Sequence, residues 1–316
     1  MAIEVSCGYR IHINSIDMNG HNQRICGGIG FCVENPRIKV VVSYVLGKDI
    51  IPAYLHDTLF PLIQQFRDKE KIEYYYKLTF NELIHSQKGL GSTTIIKLCV
   101  LSALYNLAGR NFNKRIANFY GIGLISGISI NAFFDGGFII DGGYQIDNTA
   151  IKTLNGISAG RPAPLLFRTP FPRKWKIFLA IPKNIRSLDG EKEAIFFNKI
   201  TPIDNAEVHK ISYYVLMGAL PSLLEKNFEQ FSGSINSIVK YGTKKHEKAL
   251  HFEQNKLLLN QMANDFGFAS VSSLGPTIYT ISDKQVDIQF YQNKFQDYFF
   301  HLTRVSNLGH KVQSFL

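Results

Sequence analysis

Six residues, Gly89-Leu90-Gly91-Ser92-Thr93-Thr94, lie directly before an apolar run from Ile95 to Leu107 that reads as a helix. Glycine lets the backbone turn sharply and lets an anion approach the amide nitrogens. The first amides of a helix have no partner within it, and the helix dipole is positive at that end. With the hydroxyls of Ser92, Thr93 and Thr94 as further donors, the segment suits a phosphate group. A second hydroxyl-bearing glycine loop, Gly121 to Ser129, places Ser126-Gly127 ahead of a short helix. Taken alone, each loop is equally well a structural turn.

Composition narrows the partners. The chain has 316 residues, a formal net charge of +10, 45% hydrophobic and 19% charged residues. That is enough apolar material for one large domain or two ordinary ones, and it excludes a disordered chain. The basic balance suits a phosphorylated small molecule, nucleic acid or an acidic surface. The basic residues are dispersed, apart from Lys244-Lys245-His246 with Lys248, which read as solvated surface. No arginine-rich arm, zinc-finger spacing or aromatic-basic stripe points to nucleic acid. Cys7, Cys26, Cys32 and Cys99 form neither a CxxC pair nor a zinc pattern, and no secretory leader is expected. A reduced, cytoplasmic protein is expected. Cys99 reads as a core thiol; Cys26, beside Gly27-Gly28, is open to lining a site. The glycine-rich stretch 116–140 is interrupted by Asn118, Ser126, Ser129, Asn131 and Asp135. It is therefore not expected to cross a membrane, which takes about 20 mostly apolar residues.

The elements that must position these loops follow from pattern. Tyr9 to Ile13, Ile29 to Val33, Ile38 to Tyr44, Tyr74 to Phe80 and Trp175 to Ile181 read as strands. Phe138 to Ile140 reads as a strand between tight turns. Helices are expected over 52–70, from Asn131 to Asp135, over 206–240 with a split at Pro221, and over 244–266. The turn Ser272 to Pro276 leads into another strand; Gln285 to Phe290 reads as a strand and Asn293 to Arg304 as a helix. The polar stretch 145–164 marks a border between two domains, 1–165 and 166–316, of an α+β protein.

The order of the motifs says more than any one of them. Arg10-Ile11-His12 and Ile16-Asp17-Met18-Asn19-Gly20 come first, then Arg24 with Gly27-Gly28-Ile29-Gly30. Gly89-Leu90-Gly91-Ser92, Ser126-Gly127-Ile128, Gly136-Gly137-Phe138 and Asp141-Gly142-Gly143 follow. Pro162-Ala163-Pro164-Leu165-Leu166-Phe167-Arg168 and Leu274-Gly275-Pro276-Thr277 complete the series. This series resembles the β-ribofuranosylaminobenzene 5′-phosphate synthase family, a branch of the GHMP kinase superfamily, over nearly the whole chain. The resemblance implies a GHMP kinase-like fold. Its N-terminal domain would be similar to ribosomal protein S5 domain 2, and its C-terminal domain ferredoxin-like. It also implies joining phosphoribosyl pyrophosphate to an aromatic carboxylate such as 4-aminobenzoate or 4-hydroxybenzoate. Pyrophosphate and carbon dioxide leave and a carbon–carbon bond forms, a step in tetrahydromethanopterin synthesis. Magnesium and a homodimer come with the resemblance, which assigns no metal ligands here.

Within that resemblance His12 and Asp17 are the catalytic candidates. His12 would move a proton or bind phosphate; Asp17 would bind magnesium or stabilise a cationic sugar, or else only shape the turn at Asn19-Gly20. Gly89 to Thr94 would hold the pyrophosphate and Ser126-Gly127 the ribose phosphate. Arg10, Arg24 or Arg168 would grip the carboxylate of the acceptor at two points. GHMP kinases place a catalytic aspartate seven positions before the Gly-Gly strand, where this chain has Ser129. An unactivated serine is a poor base, which ranks an ATP-dependent small-molecule kinase second. The chain departs from the family at Gln87, Thr93, Ile95 and Ile122. Those changes admit a C-nucleoside-type synthase with a heteroaromatic acceptor, or a ligand-binding homologue without catalysis.

Overall fold

The computed structural model describes residues 1–81, 83, 87–123, 127–146, 162–188 and 190–315. Two long strands, β1 (Ala2–Asp17) and β2 (Arg24–Val45), form its spine as an antiparallel pair. Alternate β1 residues Ile3, Val5, Tyr9, Ile11 and Ile13 are buried, the period of two that a pleated strand dictates. Next come α1 (His56–Glu70), β3 (Tyr75–Asn81), α2 (Ser92–Leu107), α3 (Lys114–Phe119) and α4 (Gly127–Asp135). The strands β4 (Phe138–Asp141), β5 (Tyr144–Gln145) and β6 (Leu165–Thr169) complete the first half. The second half runs β7 (Lys176–Pro182), α5 (Gly190–Ile200), α6 (Asn205–Tyr213), α7 (Leu220–Glu225) and α8 (Phe228–Ile238). It continues through α9 (Thr243–Leu250), α10 (Phe252–Phe266), β8 (Ser270–Val271), β9 (Ile278–Ser282), α11 (Ile288–Lys294), β10 (Tyr298–Thr303) and β11 (Lys311–Phe315).

Two antiparallel sheets result. The larger has the order β11-β1-β2-β4-β6, with β3 and β5 also paired to β2; the smaller has the order β10-β7-β9-β8. The border expected between residues 165 and 166 falls inside β6, and the C-terminal β11 returns to pair with β1. The larger sheet is thus sewn from both ends of the chain. Across it lies α2, whose Ile95, Leu98, Leu101 and Leu104 are buried in the core. Burying each such side chain is worth about 1.5–3 kcal/mol.

Three elements differ from their sequence reading for local reasons. Pro221 does not split the helical stretch: a π-helical turn, Tyr214–Ala219, runs straight into α7, and the Leu220 N–H just before the proline bonds back to the Val215 carbonyl. The break comes at Lys226, which is left-handed, and Asn227, which caps α8 by accepting the Gln230 N–H. The expected helix over 244–266 is interrupted at His251. At the end of the chain the order is reversed, α11 first and then β10. Asp287 caps α11 by accepting the Phe290 N–H at 3.0 Å, and the aromatic run Tyr298-Phe299-Phe300 takes the strand.

Gly89 shows how the two halves are joined. Its φ is +76°, and a Cβ there would lie 2.3 Å from the carbonyl oxygen of Ser272 and 2.5 Å from that of Gly275. The Ser272 hydroxyl donates to the Gly89 carbonyl at 2.7 Å, and the Thr277 N–H to the Lys88 carbonyl at 3.3 Å. Gly89→Ala is expected to destabilise the fold by at least about 2 kcal/mol, from left-handed strain plus backbone collision. Urea denaturation of the full chain measures it, and an unchanged midpoint refutes this use of the glycine.

Candidate active site

One cavity of about 550 Å³ opens on the face of the larger sheet, beside the N-termini of α2 and α4. Arg10, His12 and Ser15 of β1 all line it. Strict alternation would put Ser15 on the other face. A register shift between His12 and Asn14 makes up the extra residue, which is what a bulge does to re-aim a side chain.

The basic end is built on α2. Thr93, Thr94 and, one turn on, Lys97 line the cavity. The first helical bond runs from the Ile95 N–H to the Gly91 carbonyl at 3.2 Å, so the amides of Ser92 to Thr94 precede the helix ladder. The Arg10 side chain lies against Gly91, where a Cβ would come within 2.7 Å of Nε. That Nε has no hydrogen-bond partner among the described residues. A guanidinium at a helix N-terminus suits an anion.

His12 stands next along β1 and is buried. Its N–H donates to the Ser272 hydroxyl at 3.1 Å, and its carbonyl accepts the Ser273 N–H at 3.2 Å. The turn at Leu274-Gly275-Pro276 is thereby docked on the site, and Ser273 joins the cavity wall. Burial, then the charges of Arg10 and Lys244, hold the His12 imidazole well below its usual pKa. At neutral pH it is therefore uncharged, suited to carrying a proton rather than to pairing with a phosphate.

The other end is apolar with one acid. Met18, Cys26, Ala194 and Phe197 form its walls. Burial, with the charges of Asp141 and Asp17, pushes the Cys26 thiol up to about 12, so it is no nucleophile at neutral pH. Asp141 ends β4 and is fully buried. Its Oδ1 accepts the Gly143 N–H at 2.9 Å, and its Oδ2 has no hydrogen-bond partner among the described residues. Burial raises its pKa, offset in part by the amides of Gly143, Gly28 and Gly127 and by Arg24. A Cβ on Gly28 would lie 2.8 Å from Asp141 Oδ2, and one on Gly127 would lie 3.0 Å from it. Those two glycines make room for the carboxylate.

The expected site residues separate accordingly. Arg10, His12, Thr93 and Thr94 meet in the cavity. Gly89, Leu90 and Ser92 are not in its wall: Gly89 packs on the 272–275 turn, and Leu90 and Ser92 are buried. Gly91 supports Arg10. Ser126 lies outside the described residues, and Gly127 already has the Asp141 carboxylate against it. Asp17 Oδ1 accepts the N–H groups of Asn19, at 2.7 Å, and Gly20, at 3.0 Å. Arg24 donates to the carbonyls of Gly142 and Gly143, and the exposed Arg168 to those of Asp135, Gly136 and Asn307. Ser129 and Ile122 are in the cavity wall, while Ile95 is core. Sequence reasoning passed over Lys97, Glu193, Glu247 and Asp141. Lys97 was within reach of it, since it follows Thr93 and Thr94 at helical spacing.

With this geometry in hand, the chain can be compared with known proteins. No family model matches it. Beta-ribofuranosylphenol 5'-phosphate synthase of Methanocaldococcus jannaschii is 34% identical, over 96% of this chain and 98% of that protein. The chain belongs to the beta-ribofuranosylphenol 5'-phosphate synthase family. A member from Archaeoglobus fulgidus is 31% identical over 92% of this chain and 90% of its own. As a member of the beta-ribofuranosylphenol 5'-phosphate synthase family the chain is a pentosyl-transferring enzyme. Its fold is that of the GHMP kinases. Homoserine kinase from Cytophaga hutchinsonii superimposes with a TM-score of 0.65 at 16% identity, covering 99% of this chain and 97% of the other. Mevalonate diphosphate decarboxylase from Staphylococcus aureus does so with 0.61 at 11%, covering 99% and 98%. Among the described residues no helix is long and apolar enough to cross a membrane.

Proposed function

We propose that this enzyme transfers the ribose 5-phosphate unit of phosphoribosyl pyrophosphate to a ring carbon of an aromatic carboxylate, releasing pyrophosphate and carbon dioxide. By family resemblance the step belongs to tetrahydromethanopterin synthesis. The observation that carries the reading is the polarity of one cavity. Its α2 end, with Arg10, Thr93, Thr94 and Lys97, suits a departing pyrophosphate; its Met18–Phe197 end suits a flat apolar ring.

The bond from C1 to the pyrophosphate oxygen breaks, and its electron pair leaves with pyrophosphate. The ring carbon that bears the carboxylate supplies a pair to C1. Loss of carbon dioxide then returns a pair to the ring. Magnesium belongs to this proposal as the counter-ion of the pyrophosphate. Among the described residues no cluster of three His, Cys, Asp or Glu side chains could cage an ion. An ion carried in on phosphate oxygens needs only one or two carboxylates, and Glu193 and Glu247 line the cavity near Arg10. Ser129 in the wall, in place of the kinase aspartate, supports transfer over phosphorylation.

The test is to incubate the full chain with magnesium, phosphoribosyl pyrophosphate and a panel of aromatic carboxylates. Equal release of pyrophosphate and carbon dioxide is expected. ADP formed from ATP with sugars or amino alcohols would replace this reading with a kinase, and binding without turnover would replace it with a ligand-binding role.

A further inference from the structure

We propose that Asp141 selects the acceptor. Its free carboxylate oxygen takes the hydrogen of an amino or hydroxyl group para to the acceptor's carboxylate, which makes the carboxylate-bearing ring carbon nucleophilic. This rests on the transfer proposed above.

Position is the first argument. The β2–β4 register, Ile29 with Ile140 and Gly30 with Ile139, puts Asp141 next to Gly28, in the row of Ser15. Arg10 lies in the row of Cys32. Four residues of β2 separate the rows, about 13 Å at a strand's rise. Asp141 is therefore at the far end from Arg10, among Met18, Cys26 and Phe197. A ring seated there with its donor at Asp141 turns the opposite carbon back toward the anion end. That carbon is the one bearing the carboxylate, and the anion end is where C1 parts from pyrophosphate.

The second argument is the state of the carboxylate. The Gly143 N–H anchors Oδ1 and so fixes the direction of Oδ2. Asp141 is in the cavity wall, and its Oδ2 is buried and lacks a hydrogen-bond partner among the described residues. An unmet buried acceptor is costly, and a ligand donor would relieve that cost. The neighbouring Cys26 remains a thiol and does not compete as a base. Burial also makes Asp141 more basic than an exposed carboxylate.

The step balances. The O–H or N–H proton moves to Oδ2 as the ring pair forms the bond to C1 and the C1–O pair leaves with pyrophosphate. The attacking carbon is then tetrahedral. Departure of carbon dioxide returns the C–C pair to the ring, and Oδ2 returns the proton to the same oxygen or nitrogen. No further reactant is needed.

The test compares 4-hydroxybenzoate, 4-aminobenzoate and 4-methoxybenzoate with the parent enzyme and with the near-isosteric Asp141→Asn. The parent is expected to turn over the first two at least about 100-fold faster than the methoxy acid, which has no hydrogen to give. In Asp141→Asn, kcat with 4-hydroxybenzoate is expected to fall by about the same factor, with the KM for phosphoribosyl pyrophosphate within about twofold of the parent. Parental turnover of the methoxy acid at the hydroxy acid's rate overturns the proposal, as does full activity of Asp141→Asn. If the variant does not fold, the parental panel decides alone. If the parent releases pyrophosphate with none of the acids, the transfer itself fails; if it does so with the methoxy acid, only the role of Asp141 fails.

Discussion

Arg10→Met is expected to slow pyrophosphate release at least about 100-fold, with Arg10→Lys recovering part of the loss. The charge developing on the leaving group needs donors already in place, and Arg10 is a cavity side chain with a buried donor to spare. Its Nε is unpartnered among the described residues, and its backbone N–H is spent on the Leu90 carbonyl at 3.0 Å. Lysine restores a charge but not the planar fork that grips two oxygens. Methionine keeps the apolar stem over Gly91 and removes an unmet buried donor, so the fold is expected to survive. Steady-state kinetics with varied phosphoribosyl pyrophosphate reads the effect, and titration calorimetry reads the accompanying loss of binding. Parental kinetics in Arg10→Met would remove the α2 end of the cavity from the reaction.

The same residue shows what was legible in the sequence. The small-residue turn before an apolar helix marked α2, and the order of the motifs marked the family. Neither said which loop residues would face a ligand. That depends on contacts far away along the chain: Gly89 is glycine because the 272–275 turn presses on it, and Gly91 because Arg10 does. Thr93 and Thr94 inherit the cavity because their neighbours are otherwise engaged. The bulge after His12 has no local signature, yet it decides that Ser15 lines the site. Asp141 stands in the motif series, past the Gly-Gly strand, with no role of its own. Its meaning emerges only when the β4 register brings it between Gly28 and Gly127. The reversed order of α11 and β10 has a simpler origin. The Asp287 cap is a short-range signal outweighed, in pattern reading, by the alternation on either side of it.

Lys244 is the residue whose sequence reading was furthest from its place. In a run of basic residues it reads as solvated surface, but its side chain is fully buried, as is that of Glu247, with which it forms an ion pair. Its Nζ also donates to the carbonyls of Val271, at 3.2 Å, and Ser273, at 3.1 Å. It thus ties α9 to the segment that docks on His12. Lys245 beside it does sit at the surface, paired with Glu207. Lys244→Met is expected to cost about 3–5 kcal/mol, because it leaves a carboxylate buried without its cation and two carbonyls without a donor. Lys244→Met with Glu247→Leu is expected to recover most of that, since removing both charges leaves nothing to desolvate. Urea denaturation of the parent, the single and the double variant forms the necessary cycle. A second readout reaches the site. The Lys244 charge is one of the causes that lower the His12 pKa, so its removal must raise that pKa, while burial still keeps it below the ordinary value. An NMR titration of the His12 ring follows this. A single variant as stable as the parent, with His12 unmoved, would mean that the pair neither braces the turn nor sets the protonation of the site.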